Sequence, residues 1–191
     1  MPPKKLVGSV VFVLAFLAIP ASVFWYYSDN IAGYYRFKSY CAKESGLRVY
    51  HEIKKNEIWM AEDISSARAA ATLRGVRFSR YIDKSTGKLY DVSYSGGDAR
   101  YRESFNVSLA SPDAIAKYKL RFLNERLPGE VRMGRSGYEV LDIESEETEV
   151  RFYNFGYSVF DVNRTLLSSP SNVACFSSPH VYLEEIQKTI Q

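Results

Sequence analysis

An α+β fold is predicted: an N-terminal transmembrane helix, then one mixed domain with a mainly antiparallel sheet and several flanking helices. Three observations carry this. Residues 6–27, LVGSVVFVLAFLAIPASVFWYY, contain no charge. Two runs rich in β-branched and aromatic residues, Val76–Asp83 and Leu89–Ser95, bracket a glycine-containing loop. Segments with helical spacing and capping signals alternate with such strand-like runs.

As a helix at about 1.5 Å per residue, the uncharged run reaches roughly 33 Å, enough to cross a hydrocarbon core of about 30 Å. Lys4 and Lys5 precede it, and Trp25, Tyr26 and Tyr27 close it like an interfacial aromatic belt. A basic start holds the N-terminus on the cytoplasmic side, although Arg36, Lys38 and Lys43 follow the run and weaken that bias. The rival reading is a cleaved signal peptide with Ile19-Pro20-Ala21 before Ser22 as its site; it leaves a greasy new N-terminus. The expected organisation is a cytoplasmic tail at 1–5, an anchor at 6–27 and an exported domain at 28–191. That puts the chain in the inner membrane as a single-pass protein, its domain on the periplasmic or extracellular side.

The domain is taken in order. Tyr34, Phe37, Tyr40 and Cys41 recur at helical spacing within Ile31–Glu44, with Gly46 at the C-terminal position. Leu47–Ile53 alternates as a strand, with Leu47, Val49, His51 and Ile53 on one face. Lys54–Asp63 is charged and irregular, and the Ala-rich segment Ser65–Arg74 reads as a short helix closing at Gly75. Val76–Asp83 and Leu89–Ser95 form a hairpin across Lys84-Ser85-Thr86-Gly87-Lys88, and Tyr101–Leu109 adds a third strand. Ser111-Pro112-Asp113 resembles an N-cap, a first-turn proline and an early acid, predicting a helix through Ile115, Tyr118, Phe122 and Leu123 that ends before Pro128. Strands are expected at 138–143, 149–155 and 157–162, a loop at 167–173, and a last helix after Ser178-Pro179 carrying Tyr182, Leu183, Ile186 and Ile190.

Cys41-Ala42-Lys43-Glu44-Ser45-Gly46-Leu47-Arg48-Val49-Tyr50, followed by Asp83-Lys84-Ser85-Thr86-Gly87, resembles a group of small exported bacterial envelope proteins of uncharacterised function, over roughly residues 40–95. The resemblance implies a bacterial envelope protein and brings no activity with it.

Composition narrows the chemistry. A balance of 25 basic to 22 acidic residues, formally +3, lacks the cationic surplus of a dedicated nucleic-acid binder. Basic residues predominate from Ser28 to Arg102 and acidic ones from Leu141 to Gln191, a polarity that complementary packing of the two halves accounts for. The two cysteines, Cys41 and Cys175, stand near opposite ends of the domain and suggest one disulfide in an oxidising compartment; two unrelated buried thiols are the alternative. With only His51 and His180 to assist them, no metal site and no cofactor are expected.

His51 sits in the apolar alternation of its strand and reads as a half-buried, satisfied residue, and His180 as a surface residue. No Gly-x-Ser-x-Gly elbow, Ser-x-x-Lys nucleophile or Walker loop occurs. Ser95-Gly96-Gly97-Asp98 reads as a turn more readily than as an anion cradle, and Glu144–Glu149 as a hairpin tip, since a calcium loop needs alternating ligands and a central glycine. The sequons at Asn106 and Asn163 matter only in a eukaryotic secretory pathway. The 15 tyrosines supply stacking platforms or interface anchors. Two function classes follow. The first is a non-enzymatic, membrane-anchored envelope module that contacts lipid through its N-terminal helix and binds another envelope protein. The second is a carboxylate-based enzyme such as a glycan hydrolase, using Asp83, Asp91 or Asp98.

Overall fold

A computed structural model describes residues 4–159, 171–176 and 181–191, with side chains from Phe16 onward except at Tyr26, Asp29 and 181–183. The expectations for His180, the Asn163 sequon, the Ser178-Pro179 helix start, loop residues 167–170 and the Tyr182 and Leu183 side chains lie outside them.

The chain opens with one long helix, α1 (Lys4–Lys43), which runs through Pro20 without ending. The helical segment expected to continue outward from the anchor is its last third. Strand β1 (Gly46–Val49) follows. It is shorter than the expected Leu47–Ile53 strand, because the Tyr50 and His51 N–H groups both turn onto the Glu149 carbonyl, at 2.8 and 3.2 Å. Val49 is therefore exposed, while Ile53 is fully buried in an isolated parallel bridge to Ile190.

Lys54–Asp63 is not irregular throughout. It contains β2 (Glu57–Ala61), the strand on which the sheet turns. Trp59 in it is fully buried. Asp63 caps α2 (Ile64–Ala71), accepting from the Ser66 N–H and hydroxyl at 2.7 and 2.8 Å. The Ser66 N–H is the chief reason the Asp63 carboxyl sits below its ordinary pKa. The hairpin follows as expected, with β3 (Val76–Ile82) and β4 (Leu89–Tyr94), and β5 (Phe105–Leu109) extends it after a 3-10 turn at Arg102–Ser104.

The predicted helix from Ser111 is instead a loop leading into β6 (Tyr118–Arg126). Tyr118 and Leu120 are buried and Lys119 exposed, a period of two that helical capping signals upstream had masked. β7 (Met133–Asp142) and β8 (Thr148–Val159) complete the sheet, β8 running unbroken where two strands were expected. β9 (Ser171–Ala174) replaces the end of the expected loop. α3 (Val181–Gln187) stops before Ile190, so that Ile190 is free to bridge Ile53.

Strand order is β1-β8-β7-β6-β2-β3-β4-β5, with β9 also on β8. The sheet is mixed: β2 is parallel to both β3 and β6, and the other pairs of strands are antiparallel. One face packs on α2 and α3. There Trp59, Leu120, Tyr138, Val140, Phe152 and Ile186 form the main core, with a second cluster of Ala61, Ala67, Tyr81, Val92 and Phe105 under α2. Each large apolar side chain fully buried here contributes about 1.5–3 kcal/mol. The opposite face receives α1.

Candidate functional site

Only the C-terminal third of α1 meets the sheet, and it is held there by four kinds of contact. Phe37 is buried against Tyr157, ring centroids 5.7 Å apart, and the partly buried Tyr40 packs on Phe155 at 5.2 Å. The spacing of Tyr34, Phe37, Tyr40 and Cys41 puts all four on the docked stripe. Tyr157 donates its hydroxyl to the Asn30 carbonyl at 2.8 Å. Arg36 grips Glu130 with both Nε and an Nη, at 2.6 and 3.0 Å, and Arg151 of β8 reaches Glu44 at 2.8 Å. Cys41 and Cys175 stand at disulfide distance, Cα atoms 5.4 Å apart, joining the helix to the segment after β9.

The helix then leaves the sheet. From Phe16 to Trp25 every residue is exposed, including Phe16, Leu17, Ile19, Val23, Phe24 and Trp25. These side chains point to all sides of the helix, not along one stripe. Among the described residues, no helix is long and apolar enough to cross a membrane. The part of the uncharged stretch whose side chains are described, 16–28, is shorter than the ~20 residues a span needs.

Beyond the end of α1, the same face carries a polar cluster. Glu139 is buried on β7 and accepts from the Tyr153 hydroxyl and from Arg121, the latter at 2.5 Å. The Arg135 and Arg151 guanidiniums lie over the Tyr153 ring, 4.5 and 4.7 Å from its centroid. Burial, then the Glu139 hydrogen bond, pushes the Tyr153 phenol above its ordinary value. Each guanidinium already has a carboxylate, Arg121 with Glu139, Arg135 with Glu125 and Arg151 with Glu44, so the cluster ties strands together. The sequence held its ingredients at alternating positions of β6, β7 and β8, but the register that joins them is non-local.

A groove of about 620 Å³ opens beside the carboxyl ends of β2 and β3. Met60, Ala61, Ile82 and Ile143 give it an apolar floor, with Glu62, Lys84 and Lys119 around it. Ile82 is half exposed there. Crevices at the carboxyl ends of parallel strands are common binding positions in sheets of this kind.

The residues singled out from the sequence do not converge. His51 is exposed, not half-buried, with Nδ1 2.9 Å from Glu149 Oε2. Asp83 accepts from Ser85 in the hairpin turn, and this hydrogen bond lowers its pKa. Asp91 pairs with buried Arg80 at 2.7 and 3.0 Å, and Arg80 in turn binds the Ser111 and Ala114 carbonyls and so pins the loop before β6. Asp98 holds Arg100 beside the Ser95–Asp98 turn. The tip after Asp142 closes on itself, Asp142 accepting from the Glu144 and Ser145 N–H groups at 2.8 and 3.2 Å. Among the described residues, no group of three or more metal-ligating side chains is found. Comparison with family models, curated proteins and solved structures finds no match to this chain.

Proposed function

We propose that the chain is a membrane-anchored, extracytoplasmic module of the bacterial envelope that binds or assembles with another envelope component and is not an enzyme. One observation carries this reading: α1 is docked on the sheet over its last third, yet bares apolar side chains on every side from Phe16 to Trp25. A helix apolar all round needs an apolar surrounding, and a bilayer supplies one for the whole run 6–27. The envelope is the compartment implied by the resemblance over residues 40–95, and a bonded Cys41–Cys175 pair suits its oxidising side. The reading as a binder is supported by the groove at Met60, Ile82 and Ile143 and by the structural engagement of Asp83, Asp91 and Asp98.

The test uses the full chain in intact cells. It is expected to stay with carbonate-washed membranes, and its domain to be degraded by protease added to spheroplasts. Leu17→Arg, costing about 2.5–3.5 kcal/mol at the centre of a span, is expected to release it. Full protection of the domain, or release of the unaltered chain by carbonate, overturns the reading.

A further inference from the structure

Strand β5 is one end of the sheet, with β4 on one side of it and, among the described residues, no strand on the other. The Ser95 N–H donates to the Ser104 carbonyl and the Ala110 N–H to the Leu89 carbonyl, which fixes the parity of the pair. Residues 104, 106, 108 and 110 turn their backbone polar groups toward β4, and Phe105, Val107 and Leu109 turn theirs outward. The Phe105 N–H is taken by the Arg102 carbonyl. The Phe105 carbonyl and both groups of Val107 and Leu109 have no partner among the described residues.

Exposed edges are ordinarily blunted by lysine, proline, a bulge or inward charge. β5, Phe105-Asn106-Val107-Ser108-Leu109, has no charge and no proline, and its register with β4 is unbroken. Val107 and Leu109 are nonetheless 42% and 64% exposed. The other end of the sheet differs: β1 is four residues long, carries Arg48 and is broken where Tyr50 and His51 share one carbonyl.

We propose that β5 pairs antiparallel with β5 of a second copy of this chain, about a twofold axis through Val107. The strand is self-complementary in that register. Val107 opposes Val107 of the other copy and exchanges two hydrogen bonds with it, and each Leu109 N–H meets the other copy's Phe105 carbonyl, giving four in all. Phe105, Val107 and Leu109 share the sheet face on which Phe105 packs under α2, so the pairing opposes apolar to apolar there. Asn106 opposes Ser108 on the other face, and no like charges meet within the strand. A strange edge of different sequence has to match this alternation, whereas a second copy matches it by symmetry. Five residues a side make a small interface, one that a shared membrane strengthens by raising effective concentration. The inference deepens the assembly reading above by naming the partner, but the pairing itself needs no anchor.

The full chain carrying Val107→Cys is oxidised mildly in cells, and its crosslinks are read in both membrane and soluble fractions, so that a failed anchor and a failed edge are told apart. The expected product has twice the chain's mass, is split by reductant and is absent from an Asn106→Cys chain, whose thiols are two residues out of register. Adding Leu109→Pro to Val107→Cys removes an outward N–H that β4 does not use, and is expected to abolish the product while the Cys41–Cys175 bond still forms. Absence of the product, its persistence with Leu109→Pro, or a crosslink of some other mass overturns the pairing of two copies.

Discussion

Gly33 of α1 lies directly against Tyr157 of β8: a Cβ at Gly33 falls 2.6 Å from the Tyr157 hydroxyl oxygen, which itself donates to the Asn30 carbonyl at 2.8 Å. The missing side chain is what lets the helix approach the sheet closely enough for a strand tyrosine to bond a helix carbonyl. Gly33→Ala is expected to destabilise the domain by about 1–2 kcal/mol, the overpacking cost outweighing alanine's helix propensity. In a Tyr157→Phe background the oxygen is gone, and the same substitution is expected to cost less. Urea denaturation of the four proteins of this cycle measures the coupling, and a Gly33→Ala penalty unchanged by Tyr157→Phe contradicts the contact.

Cys41 and Cys175 stand at disulfide distance, and a bond between them closes a loop of sequence separation 134. On the chain-entropy model a loop of that size is worth about 5 kcal/mol. The paired substitution Cys41→Ser with Cys175→Ser is expected to lower the urea midpoint by a corresponding amount, and a reductant to do the same to the unaltered chain but not to the variant. Equal midpoints with and without reductant in the unaltered chain rule the bond out. Since Arg36–Glu130 and the Phe37–Tyr157 contact remain, the helix is expected to stay docked in the folded variant.

Tyr138 is fully buried in the main core, and its hydroxyl has no hydrogen-bond partner among the described residues. Tyr138→Phe keeps the ring, which stacks on Phe152 at 5.7 Å, and removes an unsatisfied polar atom. It is expected to stabilise the fold by about 1 kcal/mol at neutral pH. The pH dependence has a definite sign. Burial, first, raises the phenol pKa of Tyr138 in the folded state above its ordinary 10.0, so the neutral phenol's contribution is fully present below that value. It is lost as pH rises, because the unfolded chain ionises there and the folded one resists. Tyr138→Phe is therefore expected to flatten the alkaline fall in stability, measured as urea midpoints from neutral pH upward. A loss of stability at neutral pH overturns the assignment of that hydroxyl as unpaired.

The elements legible in the sequence are those whose cause is local. The β3–β4 hairpin follows from Asp83, Ser85 and Gly87 in the short connection between Ile82 and Leu89, and α2 from its alanines and Gly75. The uncharged run is visible because a charge in it would be visible, and the Cys41–Cys175 pairing was suggested because two cysteines offer one bond. The tertiary structure decided the rest. Glu57–Ala61 shows no alternation because Ile58 on one face and Trp59 and Ala61 on the other are all buried, with strands on both sides, and only Glu57 at its start and the groove-lining Met60 are partly open to solvent. Tyr118–Arg126 is a strand because β2 and β7 offer it hydrogen-bond partners on either side, and that pairing outweighs the capping signals at Ser111-Pro112-Asp113. The Glu139–Tyr153 contact, the groove at Met60 and the open β5 edge depend on strand order and register. Those are set by contacts between residues far apart in the chain, and no local pattern encodes them.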